Sequence, residues 1–158
     1  IGLSTKYAES MYENTEVNGV DLSPYFLEVG DHSKFKPTTM FCHGLAEYSG
    51  EDDNSQDMVM CSYLHHELPY KASKDIMKEA FRVLDYGGVL CILDMDPDIK
   101  GSNPLLEFIF RRTEPYLNDY KEFMAKISEL AKDIGFEDLQ FDYMPKTRMV
   151  FLRKPLKN

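Results

Sequence analysis

Asp21 follows a β-branched and apolar run at Glu16–Val20. An acid just past a strand can accept hydrogen bonds from both hydroxyls of a ribose, or it can be a turn aspartate capping the helix that begins near Pro24. Nineteen positions upstream, Gly2 opens a segment of helical period. A glycine there lets backbone approach a ligand, and the first N–H groups of a helix have no partner inside it. One helix plus one strand separates the two residues, as in a βαβ nucleoside site. Beyond the run Asp57–Ser62 stand Tyr63, His65 and His66. A histidine near its usual pKa of ~6.5 is largely neutral at pH 7 and can take a proton. Adjacent histidines point different ways in regular structure, and no His, Cys and carboxylate set has zinc spacing, so no metal is expected. Asp94 and Asp96 follow the run Val89–Leu93. They could approach a substrate, cap a loop or face water, and a paired-carboxylate hydrolase would need a separation that the sequence does not set. The run Glu51-Asp52-Asp53 reads as a solvated loop.

The elements that must position these residues alternate between two periods. Apolar runs at Glu16–Val20, Thr38–Cys42, Asp57–Ser62, Val89–Leu93, Leu139–Tyr143 and Met149–Leu152 read as strands. Between them, Lys71–Leu84 and Asp119–Ile134 carry apolar residues at spacings of three and four. Shorter helices are expected at about Ser4–Tyr12, from Pro24 with Ser23 as its cap, and at about Asn103–Arg112. Asp85-Tyr86-Gly87-Gly88 and Asp133-Ile134-Gly135 read as helix-ending turns. Strands alternating with helices imply an α/β fold with a mainly parallel sheet. Met144–Arg148 is too short for a parallel crossover, so the last two strands should form an antiparallel hairpin.

Composition narrows the function. At 158 residues one domain, spanning 1–158, is expected. Lys plus Arg is 18 against 27 Asp plus Glu, a net charge of −9 that repels a phosphate backbone, so no nucleic-acid partner is expected. No apolar run approaches the ~20 residues that span a bilayer. The odd set Cys42, Cys61 and Cys91 has no close pair and reads as free thiols, each a small core residue of its strand. Free thiols suit a reducing compartment, so an intracellular location, cytoplasm or organelle interior, is expected.

Three stretches, VNGVDLSPYF, LAEYSGEDDNSQDMVMCSYLHHELP and KEAFRVLDYGGVLCILDMDP, taken in order and with their spacing, resemble class I S-adenosylmethionine-dependent methyltransferases. The group related to ubiquinone- and menaquinone-biosynthesis methyltransferases is the nearest likeness, and RRTEPYLNDY resembles a segment near the substrate side of some relatives. The resemblance implies a Rossmann-like, doubly wound fold with S-adenosylmethionine as cofactor. It implies that Asp21 binds the ribose, Leu22 packs on adenine, Ala46 and Glu47 lie at the adenine edge, and Ser62 and Tyr63 pass beside the methionine part. His66 matches a histidine often found at the following turn. Leu45 stands where many relatives have an acid that receives the adenine amino group.

In the same family the glycine loop reads acid-x-Gly-x-(Gly or Ser)-x-Gly after a first, central strand. Spacing to Asp21 makes Gly2 the last glycine of that loop, so the first strand would precede Ile1, and an N-terminally truncated sequence is expected. Methyl transfer needs its groups held in line, which orientation can make worth roughly 7–11 kcal/mol. A base is needed only where the acceptor must lose a proton, and His66 is the candidate, ahead of His65 and Tyr63. The acceptor is expected to be a small organic molecule. The rival from another class is a catalytically inactive methyltransferase-like subunit with a protein partner. A third reading, a nicotinamide-dependent reductase, lacks the Tyr-x-x-x-Lys arrangement: Tyr116 is followed four positions on by Tyr120, and Tyr12 by Glu16.

Overall fold

Each of the six apolar runs forms a strand in the computed structural model, which describes residues 2–11, 15–31, 35–97 and 112–157. The helix expected at about Asn103–Arg112 lies outside the described residues except for its last position. The chain divides into two compact units, Ile1–Gly50 and Glu51–Asn158.

In the first unit, helix α1 (Leu3–Met11) leads into strand β1 (Val17–Asp21), helix α2 (Pro24–Asp31) and strand β2 (Thr39–His43). β1 and β2 pair in parallel from Val17↔Thr39 to Asp21↔His43. Gly2 has φ +69, and a Cβ there would meet the Phe35 ring at 2.8 Å, so only glycine fits without displacing that ring. Glu9 is buried, with its carboxylate accepting from Lys36 N–H at 2.8 Å and from the Thr39 hydroxyl. Cys42 is exposed on β2, which corrects the expectation of a core residue: this position falls on the open side of the strand alternation.

The second unit holds strand β3 (Gln56–Ser62), a 3-10 turn (His65–Glu67), helix α3 (Tyr70–Val83), strand β4 (Leu84–Met95), helix α4 (Leu117–Ile134), and strands β5 (Glu137–Met144) and β6 (Thr147–Arg153). Its sheet order is β3-β4-β6-β5. β3 and β4 are parallel, while β6 runs antiparallel to both β4 and β5, the latter pair making the expected C-terminal hairpin. Ile76, Met77, Ala80 and Val83 of α3 and Tyr120, Phe123, Ile127 and Leu130 of α4 are buried, together with Leu90, Ile92, Val150 and Leu152 of the sheet. Full burial of each aliphatic or Phe side chain stabilises by about 1.5–3 kcal/mol. α4 stops at Gly135, in the left-handed region at φ 111, whose N–H reaches Ala131 O and Lys132 O.

Residues Asp85–Gly88, expected as a free turn, begin β4 instead, with a register shift between Gln56 and Met58 that absorbs them. Lys154 holds this junction. Its buried Nζ donates to Asn54 Oδ1 at 2.8 Å and to Phe81 O and Leu84 O at 2.7 Å, so a lysine satisfies the carbonyls at the end of α3. The acidic run is also engaged: Asp53 pairs with Arg82, whose Nη2 also donates to Glu51 O at 2.7 Å. Cys61 and Cys91 are buried and unpaired.

Candidate functional site

The segment after β3 turns because Tyr63 adopts the left-handed conformation at φ 51. Such a backbone costs a tyrosine of order 1–3 kcal/mol and persists where its surroundings hold it. Here Tyr63 N–H donates to Leu93 O at 2.7 Å, and its hydroxyl bonds Thr147 Oγ1 at 2.9 Å. The chain then enters the single 3-10 turn, and Pro69, extended at φ −63 and ψ 149, sets the start of α3. Both histidines of the turn are buried.

Asp94, only 1% exposed near the end of β4, gathers this turn. Its Oδ2 accepts His65 N–H at 2.9 Å and His66 N–H at 3.3 Å, and its Oδ1 takes His66 Nδ1 at 2.7 Å and Met95 N–H at 2.7 Å. A carboxylate only accepts, so Nδ1 carries the hydrogen and the neutral ring turns its lone pair outward on Nε2. The hydrogen bond to Asp94 raises the His66 pKa above its usual 6.5, against burial, which lowers it; the Glu67 and Glu114 charges add smaller upward contributions. Tyr63 and Tyr120 present ring edges to His66, each at 6.4 Å between centroids.

His65 is a different residue. Its ring stacks on Phe123 at 4.7 Å, both ring nitrogens lack partners among the described residues, and burial pushes its pKa down to about 4. Asp94 opposes that shift and His66 reinforces it. Between pH 6.5 and 4 the unfolded chain therefore binds a proton that the folded chain refuses, and stability falls as the solution is acidified through that window. The loss is expected to reach about 3 kcal/mol. Urea midpoints of His65→Phe, which keeps an aromatic ring on Phe123, should depend less on pH across this window. A midpoint slope matching the parent's would mean that His65 is not the titrating group.

Nε2 of His66 faces carboxylates: Glu67 Oε1 is 3.7 Å away, and one ligand atom from each of His66, Glu67 and Glu114 lies within 4.8 Å of the others. Sequence spacing found no such group, because Glu114 stands 48 positions beyond His66 and only the fold brings it near. Asp96 pairs with Arg148 at 2.9 Å and Asp94 is committed to the histidine turn, so neither supplies the free acid of a paired-carboxylate hydrolase.

In the first unit, Asp21 Oδ1 accepts Ser23 N–H at 2.8 Å, which is the turn-capping role. Its second oxygen takes no hydrogen bond among the described residues, leaving an acceptor at the strand end. Leu22 is 61% exposed, and its carbonyl bonds His43 Nε2 at 3.0 Å. Ala46 and Glu47 occupy the centre of a tight turn closed by Tyr48 N–H to Leu45 O at 3.0 Å. Gly2 precedes α1 and its carbonyl accepts Lys6 N–H at 2.9 Å. The site residues read from sequence thus fall into two sets: Gly2, Asp21, Leu22, Ala46 and Glu47 in one unit, Ser62, Tyr63 and His66 in the other.

Residues 1–92 match the family described as Methyltransferase domain. Over 153 residues the chain is 27% identical to the demethylmenaquinone methyltransferase of Lysinibacillus sphaericus (strain C3-41), covering 85% of this chain and 64% of that enzyme. Haemonchus contortus phosphoethanolamine N-methyltransferase 2, solved with S-adenosyl-L-methionine, has TM-score 0.75 at 17% identity over 98% of this chain and 46% of its own. A SAM-dependent methyltransferase of Methanosarcina mazei gives 0.69 at 17% identity, over 98% of this chain and 87% of its own. The chain therefore spans less than two thirds of the first of these relatives and about half of the second. The structural likenesses establish the Rossmann-like α/β fold of S-adenosylmethionine-dependent methyltransferases.

Proposed function

The chain belongs to the Methyltransferase domain family, and we propose that it transfers a methyl group from S-adenosylmethionine to a small-molecule acceptor. The observation that carries this is the family match, which runs from before α1 into β4 and includes all eight residues read from sequence as site residues. The reading of residues 1–158 as one methyltransferase-like domain belongs to the same proposal.

The donor set of the first unit fits the cofactor. The open oxygen of Asp21 suits a ribose hydroxyl, and the bare backbone at Gly2 stands at the start of α1 where N–H groups are free. Within this unit Leu22, Ala46 and Glu47 would line the adenine. When bound, S-adenosylmethionine supplies a methyl group on a sulfonium that is already a good leaving group. The chain's own contribution is to orient the acceptor and to move its proton. His66 takes that proton at Nε2, and Asp94 stabilises the imidazolium that results.

Calorimetry with S-adenosylmethionine and S-adenosylhomocysteine tests the reading. Both should bind, and Asp21→Ala should weaken binding about ten- to a hundredfold, for roughly 1.5–3 kcal/mol of hydrogen bonds to a charged acceptor. Unchanged affinity in Asp21→Ala would remove the ribose assignment. Absence of binding by the parent chain would favour an inactive, methyltransferase-like subunit.

A further inference from the structure

We propose that Tyr120, the buried tyrosine in the first turn of α4, is a positioning residue for the base: its hydroxyl fixes the end of β4, and through Asp94 it fixes the His66 ring. The proposal rests on the methyltransferase reading for its use, and it adds to the site a residue outside the matched stretch 1–92.

Tyr120 is fully buried, at 0% exposure. A phenol hydroxyl is costly to bury without a partner, and a phenylalanine would fill the same space at no such cost. Here the hydroxyl donates to Met95 O, a carbonyl that can only accept. Met95 is the last residue of β4, and its N–H donates to Asp94 Oδ1 at 2.7 Å. Both backbone polar groups of Met95 are therefore pinned, one by the acid and one by Tyr120. The same Oδ1 takes His66 Nδ1 at 2.7 Å, so a strand end that moves carries the partner of the base with it. Tyr120 also meets the base directly: its ring lies edge-on to His66, at 76° and 6.4 Å between centroids.

Helix α4 gives this brace a rigid footing. Asp119 Oδ1 accepts Tyr70 N–H at 3.1 Å, at the start of α3, and Phe123 stacks on His65 at 4.7 Å. Positions 119, 120 and 123 are neighbours on the helix surface. One turn of α4 thus holds the start of α3, the end of β4 and both rings of the histidine turn. Tyr120 is not itself a base. Burial first, and then the Asp94 charge, push its pKa up, with Arg148 opposing and Asp96 and Tyr63 adding to the rise. The hydroxyl therefore keeps its proton and remains a donor wherever His66 titrates.

The test follows His66 by NMR in the histidine-labelled full chain, with His66→Gln identifying its resonance. The parent should carry its hydrogen on Nδ1 in the neutral ring and titrate above 6.5. Tyr120→Phe keeps the ring against His66 and removes only the hydroxyl. It should lower the proton affinity of His66 about two- to tenfold and mix the two ring tautomers. Asp94 on β4, Glu67 in the turn, Glu114 ahead of α4, and the flanking His65 and Tyr63 are the other groups that face His66, and none of them is changed. Ile127→Val, buried further along the same helix, is the control: it should lower the urea midpoint and leave the His66 titration as in the parent. Sucrose in every sample favours the compact state, so lost stability does not hide the readout. An unchanged titration and tautomer in Tyr120→Phe, or an equal change in Ile127→Val, would overturn the brace. Calorimetry with S-adenosylmethionine on the same samples keeps the two ideas apart. Cofactor binding with an unmoved His66 removes the brace alone, whereas a moved His66 without cofactor binding by the parent leaves the brace and removes methyl transfer.

Discussion

Folded His66→Gln protein is expected to bind S-adenosylmethionine as the parent does and to turn over ~10²–10⁴-fold more slowly. Glutamine keeps a polar side chain of comparable reach, so the turn after β3 can form, but its amide cannot accept a proton near neutral pH. Cofactor affinity should hold because Gly2, Asp21 and Leu22 belong to the other unit. The pH profile supplies a second check. Asp94 holds the His66 pKa above 6.5, with Glu67 and Glu114 adding to the effect, burial opposing it, and Tyr63, Tyr120 and His65 as the remaining neighbours. The neutral base is therefore lost as pH falls through a value above 6.5, and kcat/KM of the parent should rise with pH along that limb. In His66→Gln the limb should vanish. Full activity of folded His66→Gln from pH 6 to 9 would remove the base and leave orientation as the whole account. A purely structural His66 would give a different pattern: lower stability, with normal turnover by the fraction that remains folded.

Much of this architecture was readable from period alone. The strands rest on short runs rich in apolar and β-branched residues, although β3 and β5 show no clean two-residue burial repeat, and α3 and α4 follow the three-and-four spacing of their buried faces. Gly135 and the short link before β6 gave the helix stop and the hairpin, since few backbones satisfy either. The cluster around His66 was legible only in part. His66 itself was found from its place after a strand. For Asp94 the sequence leaves three roles open, because nothing local distinguishes a loop acid from one that folds back on a turn 28 positions earlier. Glu114 carries no local signal at all. Tyr63 reads as a strand-end residue, and its left-handed backbone leaves no sequence signal because tyrosine is not a residue that sequence rules place there. The acid run at 51–53 is mostly exposed, as a solvated loop is, and what the sequence does not show is its partner Arg82, which comes from the far end of α3.

Asp94→Ala should destabilise the fold by about 3–5 kcal/mol, read from the midpoint of urea unfolding. The substitution strips acceptors from two buried N–H groups of the histidine turn and from His66 Nδ1, and uncompensated buried donors are costly. Asp94→Asn isolates the chemical role. The amide keeps one oxygen for His66 Nδ1 but sets an NH2 group against N–H donors, so a smaller stability loss is expected, together with a slower reaction. Its signature is in pH and in coupling rather than in rate alone. Removing the carboxylate removes the largest cause of the raised His66 pKa, so the acid limb of kcat/KM should move to lower pH, which a change in packing would not produce. Asp94 acts through His66, so the double variant Asp94→Asn, His66→Gln should turn over no more slowly than His66→Gln alone. Additive losses in that cycle would mean that Asp94 serves the fold and His66 the reaction, each independently. A limb that stays in place would mean that the hydrogen bond at 2.7 Å does not set the protonation of the base. If coupling and shift both appear, the acid at the end of β4 is a positioning residue that fixes which nitrogen of His66 meets the acceptor.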